Sequence, residues 1–131
     1  MRICIDLDGV ISKLKKENEN YSELEPVENA KLMINELKKR GHYIIIYTAR
    51  HMKTCEGNIG LINSRIAKIT LDWLKANGIE YDEIYFGKPF ADLYLDDNAI
   101  RFNSWNEIDV ENLPISREKE ILNQKKYNSD K

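Results

Sequence analysis

Residues 3–12 read Ile-Cys-Ile-Asp-Leu-Asp-Gly-Val-Ile-Ser, an apolar run that ends in two carboxylates one residue apart, Asp6 and Asp8, followed by Gly9. Other groups capable of chemistry follow other apolar runs. Thr48 closes Tyr43–Tyr47, Lys88 comes just after Glu83–Phe86, and Asp96 and Asp97 follow Leu93–Leu95. Singly, each has an ordinary explanation. Asp-Gly is a turn signal, a threonine at a strand end packs or caps, a lysine before proline is a solvated loop residue, and Asp-Asp before Asn caps a turn or helix. Gathered at one edge, they are the groups that phosphoryl transfer needs. Like charges about 4 Å apart repel by roughly 4 kcal/mol at an effective dielectric near 20, so Asp6, Asp8 and Asp96 could cluster only around a cation. Mg²⁺, a hard dication that takes carboxylate and phosphate oxygens, is the natural one. Lys88 adds positive charge for a phosphate dianion, and Thr48 a neutral donor.

The elements that must position these groups can be read from periodicity. Residues 3–7 form a buried strand, and the polar stretch 12–25 is a surface loop or small flap. Pro26 opens a helix to about Arg40, with Ala30, Met33, Ile34 and Leu37 on one face and Gly41 as its stop. The continuous run Tyr43–Tyr47 reads as a strand covered on both faces. Residues 51–61 are irregular, and a second helix spans roughly Asn63–Asn77, with Ile66, Ile69, Trp73 and Leu74 inward and Gly78 as cap. Glu83–Phe86 is a third strand, Leu93–Leu95 a short fourth, and Trp105–Ile108 a short helix capped by Ser104. Residues 116–131, beginning with a cap at Ser116, form a peripheral helix or frayed tail. Alternating strands and helices predict an α/β fold with a mostly parallel sheet, whose ligands bind beyond the carboxyl ends of the strands.

Composition narrows the function classes. The chain has 131 residues, enough for one domain burying about two-thirds of its unfolded surface. Net charge is −2, so no basic field points to nucleic acid or an anionic membrane. No apolar run approaches the roughly 20 residues of a membrane span, and Asp6 interrupts any signal-peptide core. Cys4 and Cys55 have neither metal-ligand spacing nor the density of a disulfide framework, so reduced cysteines and a cytoplasmic location are expected.

The ordered set Asp6-Leu7-Asp8-Gly9, Thr48, Lys88 and Asp96-Asp97 resembles the four motifs of the haloacid dehalogenase (HAD) phosphatase superfamily. The stretches Tyr47–Thr54 and Phe86–Phe102 resemble more closely the short HAD proteins of capsular or surface polysaccharide biosynthesis. The resemblance implies a HAD-like sheet flanked by helices and a phosphomonoester hydrolase acting on a small metabolite such as a sugar or polyol phosphate. Asp6 would be the nucleophile, forming an aspartyl-phosphate, and Asp8 the proton carrier. Mg²⁺ would be held by Asp6, the Asp8 carbonyl and Asp96, with Asp97 in support. Thr48 and Lys88, helped by backbone N–H groups near Leu7 and Ala49, would bind the phosphoryl oxygens.

The two gaps between the first three motifs, 9–47 and 49–87, are largely consumed by a helix and a strand. No large cap domain fits there, so the site is open or covered by a neighbouring subunit of a homo-oligomer. Arg50, His51 and Lys53 follow the second strand and are the substrate-selecting candidates; each also reads as a solvated loop residue. Only Gly87–Asp92 separate the third and fourth strands, far too few for a parallel crossover. A receiver-type signalling domain uses similar groups, but its acidic pair follows the first strand, not the last. A non-catalytic HAD-like phosphate-binding or scaffold module, and a phosphotransferase or phosphomutase, are the alternatives.

Overall fold

The computed structural model describes residues 1–130. Its sheet has three parallel strands in the order β1 (Arg2–Asp6), β2 (Tyr43–Thr48), β3 (Glu83–Phe86). The helices are α1 (Ala30–Lys39), α2 (Ile59–Ile62), α3 (Lys68–Ala76) and α4 (Arg117–Ser129). A π-helical stretch, Asn63–Ala67, joins α2 to α3. The architecture is α/β, as the alternation of patterns predicts. None of these helices is long and apolar enough to cross a membrane.

The core lies between one face of the sheet and the inner faces of α1 and α3. Ala30, Ile34 and Leu37 recur at helical spacing on α1 and are buried, as are Trp73 and Leu74 on α3. They pack with Ile5, Leu7, Ile44 and Ile46 from the strands. The strand β2 is not covered on both faces: Ile44, Ile46 and Thr48 are buried, while Tyr43, Ile45 and Tyr47 are half-exposed. Ile69 likewise turns outward. Gly41 and Gly78 follow α1 and α3 with φ of 85° and 66°, the left-handed conformation that closes a helix without a Cβ penalty.

Two expected boundaries shift for identifiable reasons. The helix begins at Ala30, not Pro26, because the chain just before it is used elsewhere. Lys13 N–H donates to the Glu25 carbonyl and Val27 N–H to the Ile11 carbonyl, pairing 11–13 with 25–27. The fourth strand does not form. Leu93 and Leu95 are 67% and 91% exposed, and residues 87–101 run as an irregular connection, exposed from Pro89 onward. A short apolar alternation resembles a strand, but six residues after β3 cannot carry the chain across to a parallel position. The connection that looked too short therefore joins no second strand. The α4 helix is capped by Ser116, whose hydroxyl accepts from Lys119 N–H, and buries no residue.

Candidate active site

Three strand ends meet at the carboxyl edge of the sheet. Asp6 ends β1 and Thr48 ends β2, while Gly87 and Lys88 follow β3, both donating their N–H to the Thr48 carbonyl (3.2 and 3.1 Å). This pairing holds the lysine stem over β2, and Lys88 Nζ reaches Asp6 Oδ2 at 3.3 Å. Gly87 has φ 105°, a conformation that strains any residue with a side chain, and a Cβ there would also push the Ile59 Cδ1 methyl, 2.7 Å away, aside. The Tyr94 ring lies 4.1 Å from the Lys88 ammonium, a cation–π contact on the lysine's outer side.

Asp8 lies in the tight turn after β1, where Gly9 adopts φ 88° and Ile11 and Ser12 N–H groups return to the Leu7 carbonyl. The Asp-Gly pair thus forms the turn that its composition signals. Thr48 Oγ1 donates to Asp8 Oδ2 at 3.0 Å, and Arg50 Nε donates to Asp8 Oδ1 at 2.9 Å. Clustered carboxylates need a compensating cation. The chain supplies two of its own, Lys88 on Asp6 and Arg50 on Asp8.

Burial raises the Asp6 carboxyl above its ordinary pKa; the Lys88 ammonium opposes this, and the nearby Asp8 charge adds to it. Burial lowers the His51 pKa, reinforced by Arg65, Arg50 and Lys15. His51 takes φ 60°, uncommon for a residue with a side chain, as the chain turns out of β2.

Several expected site residues stand elsewhere. Among the described residues, no three His, Cys, Asp or Glu side chains gather closely enough to hold a metal. Asp96 and Asp97 lie exposed in the 87–101 connection, because the strand that was to carry them does not form. In this arrangement the Asp6, Asp8, Asp96 and Asp97 set does not fit Mg²⁺. The Leu7 N–H is committed to the Tyr47 carbonyl (3.1 Å) as an extension of the sheet ladder, not turned to a phosphoryl oxygen. Ala49 lies in the turn between Thr48 and Arg50, its carbonyl accepting from Met52 N–H. Arg50 is a buried partner of Asp8, neither a solvated loop residue nor an exposed substrate contact. His51 rests near the Tyr21 ring, and exposed Lys53 points toward the Phe90 ring at 5.4 Å.

Two participants escaped sequence reasoning. Thr70 accepts from Arg50 Nη1 at 3.1 Å, and the Tyr21 ring lies 4.3 Å from the guanidinium carbon. The signal for Thr70 is a hydroxyl placed on the inward face of a helix, four residues after Ile66 and three before Trp73. Tyr21 has only its aromatic character within a polar run to mark it.

No family model and no curated protein matches the chain. Among solved structures it is similar to the crystal structure of an MCSG target from Vibrio cholerae. The two share 35% identity at a TM-score of 0.71, over 76% of this chain and 82% of that one.

Proposed function

We propose that this chain, which belongs to the same family as the Vibrio cholerae protein, is a HAD-type phosphoric monoester hydrolase acting on a small phosphorylated metabolite. The observation that carries the proposal is the meeting of Asp6 and Asp8 with Thr48 and Lys88 at three adjacent strand ends. An Asp6 carboxylate oxygen would attack phosphorus, the P–O bond to the leaving alcohol would break, and Asp8 would give that oxygen its proton. Water, deprotonated by Asp8, would then attack phosphorus, releasing phosphate and restoring Asp6. Lys88 would exchange part of its pairing with Asp6 for the phosphoryl oxygens, and Thr48 would turn its hydroxyl from Asp8 to the same group. The resemblance of Tyr47–Thr54 and Phe86–Phe102 to capsule-biosynthesis HAD proteins is the ground for proposing a sugar or polyol phosphate as substrate. A neighbouring copy covering the capless site is part of the same proposal.

Mg²⁺ enters as a requirement for assay to decide, since Asp96 and Asp97 do not gather with Asp6 and Asp8. The internal neutralisation of both carboxylates favours a second reading, a non-catalytic phosphate-binding module. Hydrolysis of 4-nitrophenyl phosphate separates the two. The proposal expects turnover, and a loss of two or more orders of magnitude in Lys88→Ala, as for removal of an electrostatic clamp from a shielded site. No turnover with or without Mg²⁺, or a Lys88→Ala loss under about twofold, would refute it.

A further inference from the structure

We infer that Arg50 is the positioning residue for Asp8, gripping that carboxylate from behind so that one oxygen faces the reacting group; this rests on the phosphatase reading. The guanidinium is sequestered, with its side chain only 1% exposed. Three separate segments hold it: Asp8 after β1, Thr70 on α3 and the Tyr21 ring from the 12–25 loop. Its own N–H donates to Thr48 Oγ1 at 3.1 Å, fixing where the side chain leaves the β2 end. Removing a cation from water costs several kcal/mol unless a carboxylate and further acceptors compensate. A purely structural pair would bury both partners, yet Asp8 is 23% exposed against Arg50's 1%. The asymmetry leaves a locked cation behind a carboxylate whose front is open.

The bonding pattern says which oxygen works. Arg50 Nε donates to Oδ1, and Nη2 stands 2.9 Å from the same atom without a hydrogen bond, so the guanidinium pairs with Oδ1 and not with Oδ2. Oδ2 is held only by the Thr48 hydroxyl, the group that the reaction would take for phosphate. When Thr48 turns to the phosphoryl group, Oδ2 is released toward the leaving oxygen while Oδ1 stays clamped. A guanidinium has no proton to give at ordinary pH, so Arg50 acts only through the position of Asp8.

The experiment compares kcat/KM, which reports phosphorylation, for 4-nitrophenyl phosphate and for glycerol phosphate. The aryl ester needs little protonation of its leaving group and the alkyl ester much. Well-placed proton transfer is worth about 10²–10⁴-fold. Arg50→Gln should therefore lower the alkyl ester by about 100-fold or more and the aryl ester by less than about fivefold. Arg50→Lys should fall between, keeping charge without the fork. Added to Asp8→Asn, Arg50→Gln should change the ratio of the two esters no further. Thr70→Val, which frees Nη1 and loosens the guanidinium, should give a smaller loss with the same selectivity, and serves if Arg50→Gln does not fold. Equal losses for both esters, or an additive effect in the Asp8→Asn background, would refute the positioning role while leaving the hydrolase reading intact. A wild-type protein that hydrolyses neither ester would overturn the hydrolase reading and the positioning role with it.

Discussion

Replacing Thr70 by valine removes one oxygen from the protein interior and tests how tightly Arg50 is held. Thr70 is fully buried, and its hydroxyl is the acceptor for Arg50 Nη1 at 3.1 Å. Valine keeps the branched shape and removes the acceptor. The guanidinium is already short of partners, because Nη2 lies near Asp8 Oδ1 with no N–H aimed at an acceptor. Leaving a second buried donor of a charged group unmet costs about 1–3 kcal/mol, and we expect about 2 kcal/mol. For 131 residues the unfolding entropy is about 0.28 kcal/mol per kelvin, so Tm should fall by about 7 °C. Urea unfolding followed by circular dichroism should show a lower midpoint at an unchanged slope, the signature of lost stability without a change in exposed surface. Thr70→Ser keeps the hydroxyl and should lose only the value of a buried methyl, about 1 kcal/mol. A Thr70→Val protein within about 0.5 kcal/mol of wild type, or no less stable than Thr70→Ser, would refute the clamp.

The two carboxylates after β1 should differ in kind. Asp6→Asn should form no phosphoenzyme, whereas Asp8→Asn should accumulate one from an aryl phosphate, seen as added phosphoryl mass after acid quench; a phosphoenzyme in Asp6→Asn would reverse the assignment. If Mg²⁺ is required, excess EDTA should abolish turnover and Mg²⁺ restore it. Full activity in EDTA would remove the metal from the proposal. The lowered His51 pKa favours the neutral ring in the folded state, so the unfolded chain takes up its proton first as pH falls. Stability should therefore fall as pH drops through the ordinary histidine range and below it, and His51→Asn, which tolerates the positive φ, should flatten part of that loss in urea melts.

The sequence by itself determined the strands and helices whose signals are local. Tyr43–Tyr47 is β-branched and aromatic enough to name β2, and Ala30, Ile34 and Leu37 repeat at the helical period that α1 buries. The glycines after α1 and α3 mark their ends because only glycine enters the left-handed region freely. The meeting of Asp6, Asp8, Thr48 and Lys88 also followed from sequence, since parallel strands bring the residues after each one to a common edge. Tertiary structure alone decided the rest. Leu93–Leu95 has a strand's composition, but ladder pairing depends on whether the backbone can reach a neighbour, which composition does not encode. Pro26 marks a helix start, yet pairing of 25–27 with 11–13 delayed α1 to Ala30. Arg50 looked like any loop cation, and only folding brought Asp8, Thr70 and Tyr21 around it, from 42, 20 and 29 residues away along the chain. The worth of a charge is set by its burial and partners, and those exist only once the chain has closed around it.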